Sequence, residues 1–210
     1  RKRQWSSAAQ RSVVMAPHGI VASSQPLASQ AGLRILREGG NAVDAAVAAA
    51  AVLCVVEPFS TGIGGDAFML IHHGPTGKLY GLNASGRSPR SINIEAVRRL
   101  GHTGMPVKGI IPVTVPGALD GWREALSQFG SMPLSRLLEE AINYSEEGFP
   151  VSEVIAGVWA SCVPLLKSHS SSASTYLING LPPRPGQRFA NPDLARTFRL
   201  LAEGGEEAFY

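Results

Sequence analysis

The chain has 210 residues, 44% hydrophobic and 17% charged, which suits one domain with a sizeable core or part of a larger one. With so little charge to cover itself, it is expected to bury a face against a partner. The net charge is only +3, and the basic residues cluster at Arg1, Lys2, Arg3 and Arg11 with no alternating aromatics. That excludes a nucleic-acid partner and makes residues 1–14 a basic, solvated tail.

Behind that tail no apolar stretch follows, so no secretory signal is read and a cytoplasmic location is expected, or a secreted or membrane-anchored one if residues precede Arg1. In chain order, Ser24 and Pro26 open a helix through "QPLASQAGLRILREGG", closed by Gly39 and Gly40. Asn41 caps a second helix, with Asp44 at its third position, where a carboxylate meets free amides. Alanines at 42, 45, 46 and 48–51 require close neighbours on several sides, so this helix is central. Its apolar run is too short and too interrupted by Asp44 to cross a membrane. The glycine turn "STGIGGD" follows. "AFMLIHH" and "KLYGLNA" around "GPTG" then predict a hairpin. Helices are expected over "NIEAVRRLG", "VPGALDGWREALSQFG", "SMPLSRLLEEAINYSEEG" with Ser131 as cap, "VSEVIAGVWASCVPLL" broken near Pro164, and "NPDLARTFRLLAEGG" capped by Asn191. "SHSSSASTYLINGLPPRPGQ" reads as a long surface loop. One hairpin cannot bury both faces of its sheet, which predicts an incomplete fold whose missing strands lie on another chain or an absent segment.

The chemistry of single motifs is mostly exclusion. A phosphate loop needs Lys-Ser or Lys-Thr after its last glycine and a helix behind it, whereas Gly65 is followed by Asp66 and a strand. The dinucleotide order of strand, turn, helix is reversed here. His72 and His73, adjacent on a strand, point to opposite faces and do not ligate one metal together, so no metal site is assigned. Cys54 and Cys162 lack metal-ligand spacing and read as buried thiols, with a disulfide as the alternative. A serine-hydrolase elbow is absent; Ser85 in "NASGR" lacks the first glycine. The glycine turn is left as a tight passage from the alanine helix into a core strand, its glycines placed where no Cβ fits or φ is positive. Asp66 is read as orienting this loop. Asp44 is read as a helix-start residue and not as a catalytic acid.

"GGNAVDAAVAAAAVLCVVEPFSTGIGGDAFML" (residues 39–70), "VTVPGALDGW", "EEGFPVSE" and "LARTFRLLAEGGEEAFY", in this order, resemble the γ-glutamyltransferase (glutathione hydrolase) family. The resemblance runs over residues 15–210, skips only the Ser-rich loop, and is confined to the N-terminal part of the family's large subunit. It implies an α/β (α+β) class fold, the four-layer αββα sandwich of N-terminal-nucleophile hydrolases, to which this chain contributes a partial, helix-rich portion. It also implies a precursor that cuts itself, and a small catalytic subunit whose N-terminal threonine attacks with its own α-amine as base. No cofactor is implied. Thr103, Thr114 and Thr197 are internal and outside the family's threonine motif, so no catalytic residue is assigned in this segment, which alone is expected to be inactive.

The family's arginine for the glutamyl α-carboxylate lies in an R-E-x-A-P pattern. Aligned on Pro89, it falls on Ser85, and this sequence carries Arg87 two residues later. A guanidinium fork suits a carboxylate. On a strand, a shift of two keeps the same face, displaced by roughly 7 Å, so Arg87 is expected to bind substrate from a shifted place; the plain alternative is a surface arginine beside a proline turn. Gly64, Gly65 and Asp66 are further candidates for lining the site. The shift fits the cephalosporin-acylase-like branch of the family. A γ-glutamyl-cleaving enzyme is the leading reading. A related acylase or amidase on other substrates, and a truncated non-catalytic homologue acting as a partner module, are the rivals.

Overall fold

The computed structural model describes residues 12–204, 207, 209 and 210; residues 1–11 of the basic tail lie outside the described residues. Helix α1 (Pro26–Arg37) opens with Gln25, not Ser24, as its cap: the Gln25 side chain accepts from the Leu27 amide, while Ser24 donates its hydroxyl to Glu57. Helix α2 (Ala42–Val56) starts with a reciprocal capping box. Asn41 Oδ1 accepts from the Val43 and Asp44 amides at 2.8 and 3.2 Å, and Asp44 Oδ2 accepts from the Asn41 amide at 2.8 Å. Packed against α1, α4 (Ala118–Phe129) and α5 (Leu134–Glu146), helix α2 supplies much of the core through Val47, Ala48, Ala51, Val52, Val55 and Val56. The close neighbours expected on several sides are present, and only Ala42 and Ala46 of its alanines remain exposed.

Strands β1 (Ala67–His73) and β2 (Lys78–Ala84) form the predicted antiparallel hairpin, in register from Ala67 opposite Ala84 to His73 opposite Lys78. Met69, Ile71 and Leu82 face inward on a sheet packed on α4 (Ala118–Phe129), while Phe68 and Leu70 point away. His72 and His73 do part to opposite faces. His73 packs between Tyr80 and Phe129 and shares a 2.9 Å hydrogen bond with Thr76. Among the described residues no cluster of three His, Cys, Asp or Glu is placed to hold a metal, and no helix is long and apolar enough to cross a membrane.

After the short helix α3 (Ile94–Arg99) and α4 come α5 (Leu134–Glu146), β3 (Phe149–Pro150), α6 (Glu153–Lys167), α7 (Ser170–Tyr176), β4 (Arg188–Phe189) and α8 (Pro192–Gly204). Three expectations are corrected here. Ser131 does not cap α5, whose N-cap is Pro133; its amide and hydroxyl turn to Asp44 at 3.0 and 2.6 Å. Helix α6 runs through Pro164 unbroken; the proline lies in the exposed last turn, where water can satisfy the carbonyl it strands. The supposed loop at 168–187 holds α7, anchored by Trp159 Nε1 donating to the Tyr176 carbonyl at 2.9 Å and by the packing of Trp159, Tyr176 and Phe189. Both cysteines are free; Cys54 is buried, which pushes its thiol up to about 12, and Cys162 is half-buried, so neither the disulfide nor a second fully buried thiol is present.

Candidate functional site

Three separate stretches meet beside α4. The glycine turn closes on itself with the Gly65 amide donating to the Gly62 carbonyl at 3.0 Å. The carbonyl of Gly65 then accepts from both the Gly117 and Ala118 amides, at 3.0 and 2.9 Å. Gly117 is the N-cap of α4 and has no side chain to satisfy these donors, so the turn supplies the cap instead. The role expected for its glycines is different from the one found. Gly62 and Gly64 have ordinary φ and open space where a Cβ would stand, and a Cβ on Gly65 would lie 3.3 Å from the Gly62 carbonyl.

The second stretch is the end of β2. The strand stops at Ala84, so Ser85 and Arg87 do not continue one pleated face as predicted. Between them Gly86 adopts φ +74°, and a Cβ there would stand 2.0 Å from the Val115 carbonyl oxygen. Only glycine fits such a corner. The third stretch, residues 114–121, presses against it: Cβ atoms added to Gly117 or Gly121 would meet Ala84 atoms at 2.3 and 2.5 Å. The Val115 amide donates to the Arg87 carbonyl at 2.8 Å. Thr114 Oγ1 lies 3.1 Å from both Asp66 Oδ1 and the Ser85 carbonyl oxygen, which share its single proton.

A cavity of about 460 Å³ opens at this junction and is lined by Ser85 and Arg87 on one side and by Asp120, Glu124 and Tyr210 on the other. Ser85 is half-buried and Arg87 exposed. Tyr210 donates its hydroxyl to the Pro116 carbonyl at 2.6 Å; partial burial raises its phenol above the usual value and keeps it a neutral donor. Gly64, Gly65 and Asp66 do not line this cavity: Gly65 and Asp66 brace its wall from behind through Gly117, Ala118 and Thr114. Thr103 is exposed, and Thr197 donates to the Asp193 carbonyl within α8. The sequence reading missed Thr114, Gly86 and Tyr210. The one signal that pointed this way is Gly117 and Gly121, four apart on one helix face, a pattern for close approach. The cavity unites a guanidinium with two carboxylates, a set able to hold a small polar molecule carrying charge.

Residues 28–210 match the family model described as Gamma-glutamyltranspeptidase. A glutathione hydrolase-like proenzyme (YwrD) from Bacillus subtilis is 42% identical over 192 residues, 91% of this chain and 36% of its own length. The oxamate amidohydrolase proenzyme of Klebsiella pneumoniae is 41% identical over 199 residues, 92% of this chain and 37% of its own length. The crystal structure of cephalosporin acylase from Bacillus halodurans superposes with a TM-score of 0.90 at 44% identity, covering 99% of this chain and 40% of that one. The chain thus spans between a third and two fifths of the length of these relatives.

Proposed function

Because the chain belongs to the γ-glutamyltranspeptidase family, we propose that it forms the N-terminal portion of the large subunit of an enzyme that cleaves γ-glutamyl amide bonds. The proposed partner is a small subunit released from the same precursor, with an N-terminal threonine. The threonine hydroxyl, its proton taken by the chain's own α-amine, attacks the γ-carbonyl; the leaving amine departs with a proton, and water or an amine acceptor then takes the acyl group from the threonine. In this division of labour residues 28–210 hold and orient the substrate, and require no cofactor. The observation that carries the reading is Arg87 at the rim of the cavity beside the start of α4. Its planar fork suits the α-carboxylate of a glutamyl group. Arg87→Ala in the complete enzyme is expected to lower kcat/KM for a γ-glutamyl anilide by roughly 10- to 1000-fold. Unchanged kcat/KM removes Arg87 from the site. Intact-mass analysis of the mature protein is expected to find a second chain beginning with Thr; a single species instead favours a non-catalytic module.

A second reading, an acylase or amidase for other acyl groups, draws on one observation: Arg87 stands beyond Gly86, at a corner rather than on the strand. A carboxylate held from there need not sit where a glutamyl carboxylate sits. Relatives named oxamate amidohydrolase and cephalosporin acylase support keeping other acyl groups among the substrates to assay.

A further inference from the structure

We infer that Thr114, held by Asp66, is the positioning residue for Arg87; this deepens the proposed function and rests on the carboxylate-binding role given there to Arg87. Ser85, Gly86 and Arg87 form a corner that no strand partner holds, since β2 ends at Ala84. Two bonds from the segment before α4 fix the corner on either side of Gly86. The Thr114 hydroxyl reaches the Ser85 carbonyl at 3.1 Å, and the Val115 amide reaches the Arg87 carbonyl at 2.8 Å. The second bond is backbone and independent of side-chain identity. The first depends on a hydroxyl in one rotamer, and the Asp66 carboxylate, 3.1 Å from the same oxygen, holds Oγ1 on this side while sharing its single proton with the Ser85 carbonyl. Threonine has few χ1 states to lose, so one added acceptor is enough to bias it. Gly86, at φ +74°, is the residue whose backbone resists rotation least; the Ser85 amide stays tied to Asn83 Oδ1 at 3.0 Å, so with the Ser85 carbonyl released the direction of Arg87 is the first thing to change. The pair therefore gives the arginine a fixed address off the strand, in the same cavity that Ser85 lines.

The test is steady-state kinetics of the complete, matured enzyme on two anilides, γ-glutamyl and 4-aminobutanoyl, which differ only by the α-carboxylate. Thr114→Val is expected to raise KM for the γ-glutamyl anilide about ten-fold with little change in kcat. The 4-aminobutanoyl anilide should stay within about two-fold of wild type, Thr114→Ser should restore the glutamyl KM, and Thr114→Val should add nothing to Arg87→Ala. Equal effects on both anilides, or effects that multiply with Arg87→Ala, overturn the inference and leave Thr114 a structural residue. No turnover of the γ-glutamyl anilide, or a KM untouched by Arg87→Ala, instead sinks the underlying carboxylate reading and this inference with it. If Thr114→Val does not mature, exposed Asp66→Ala takes its place: a selective rise in the glutamyl KM supports the inference, and an unchanged KM rejects it.

Discussion

Asp44 is a carboxylate with no exposure to water, and four donors surround it: the amides of Asn41, Ser131 and Met132 and the hydroxyl of Ser131. Burial pushes its pKa up, but the Ser131 hydroxyl and the three amides outweigh this and hold it below the usual carboxylate range. The unfolded chain therefore takes up this proton first as pH falls. The stability Asp44 contributes is whole above about pH 4 and drains away below it, as pH drops through the folded-state pKa. Asp44→Asn presents an NH₂ group to N–H donors, and is expected to cost about 1.5–3 kcal/mol at neutral pH. It should also flatten the acid limb, both read from thermal unfolding between pH 2 and 7. Half of this arrangement was legible. Asn41 and Asp44 sit three apart before an apolar run, and their bonds are local. Ser131 was not legible: a hydroxyl just before a helix suits its own helix start or a distant carboxylate equally well, and packing across 87 residues chose the second.

Between elements, the contact of α4 with β2 depends on the missing side chain at Gly121. An alanine there gains about 1 kcal/mol of helix propensity, yet its Cβ would stand 2.5 Å from Ala84 Cβ and 3.3 Å from Leu82 Cδ2. Overpacking of that kind costs about 1–3 kcal/mol. Gly121→Ala is expected to lower Tm, and Gly121→Ala with Ala84→Gly to recover most of the loss, because the second change removes the atom being met. Tm unchanged by the single substitution would show that α4 shifts freely over the hairpin. The hairpin and most of the helices could be read from periodicity and turn residues, which are local signals. Pro164 and α7 could not: the proline is tolerated because it falls in the exposed last turn of α6, and an aromatic cluster of Trp159, Tyr176 and Phe189 holds α7. The corner at Gly86 was missed for the same reason: its left-handed φ is imposed by Val115, 29 residues on in the chain.

Over the whole molecule, the hairpin is covered on one face only. Phe68, Leu70 and Leu79 are 69%, 80% and 67% exposed on the other, an apolar patch that a stable sheet normally covers. Expressed alone, residues 1–210 are expected to self-associate, and Leu70→Lys to shift the population toward monomer in light scattering; identical sizes for both would place the association elsewhere. The family fold, a four-layer αββα sandwich of which this chain builds one part, accounts for such a face. The junction at α4 has a different consequence. A helix start commonly receives an anion through its free amides, but here Gly117 and Ala118 already donate to the carbonyl of Gly65. Backbone and proposed recognition are thereby separated: the core is closed by peptide groups that any sequence carries, while the arginine proposed to bind the substrate carboxylate, Arg87, stands on a corner outside the regular strand. Under the proposed function, a scaffold arranged in this way exchanges one acyl group for another over evolutionary time by moving a single side chain along the corner, with its core left as it was.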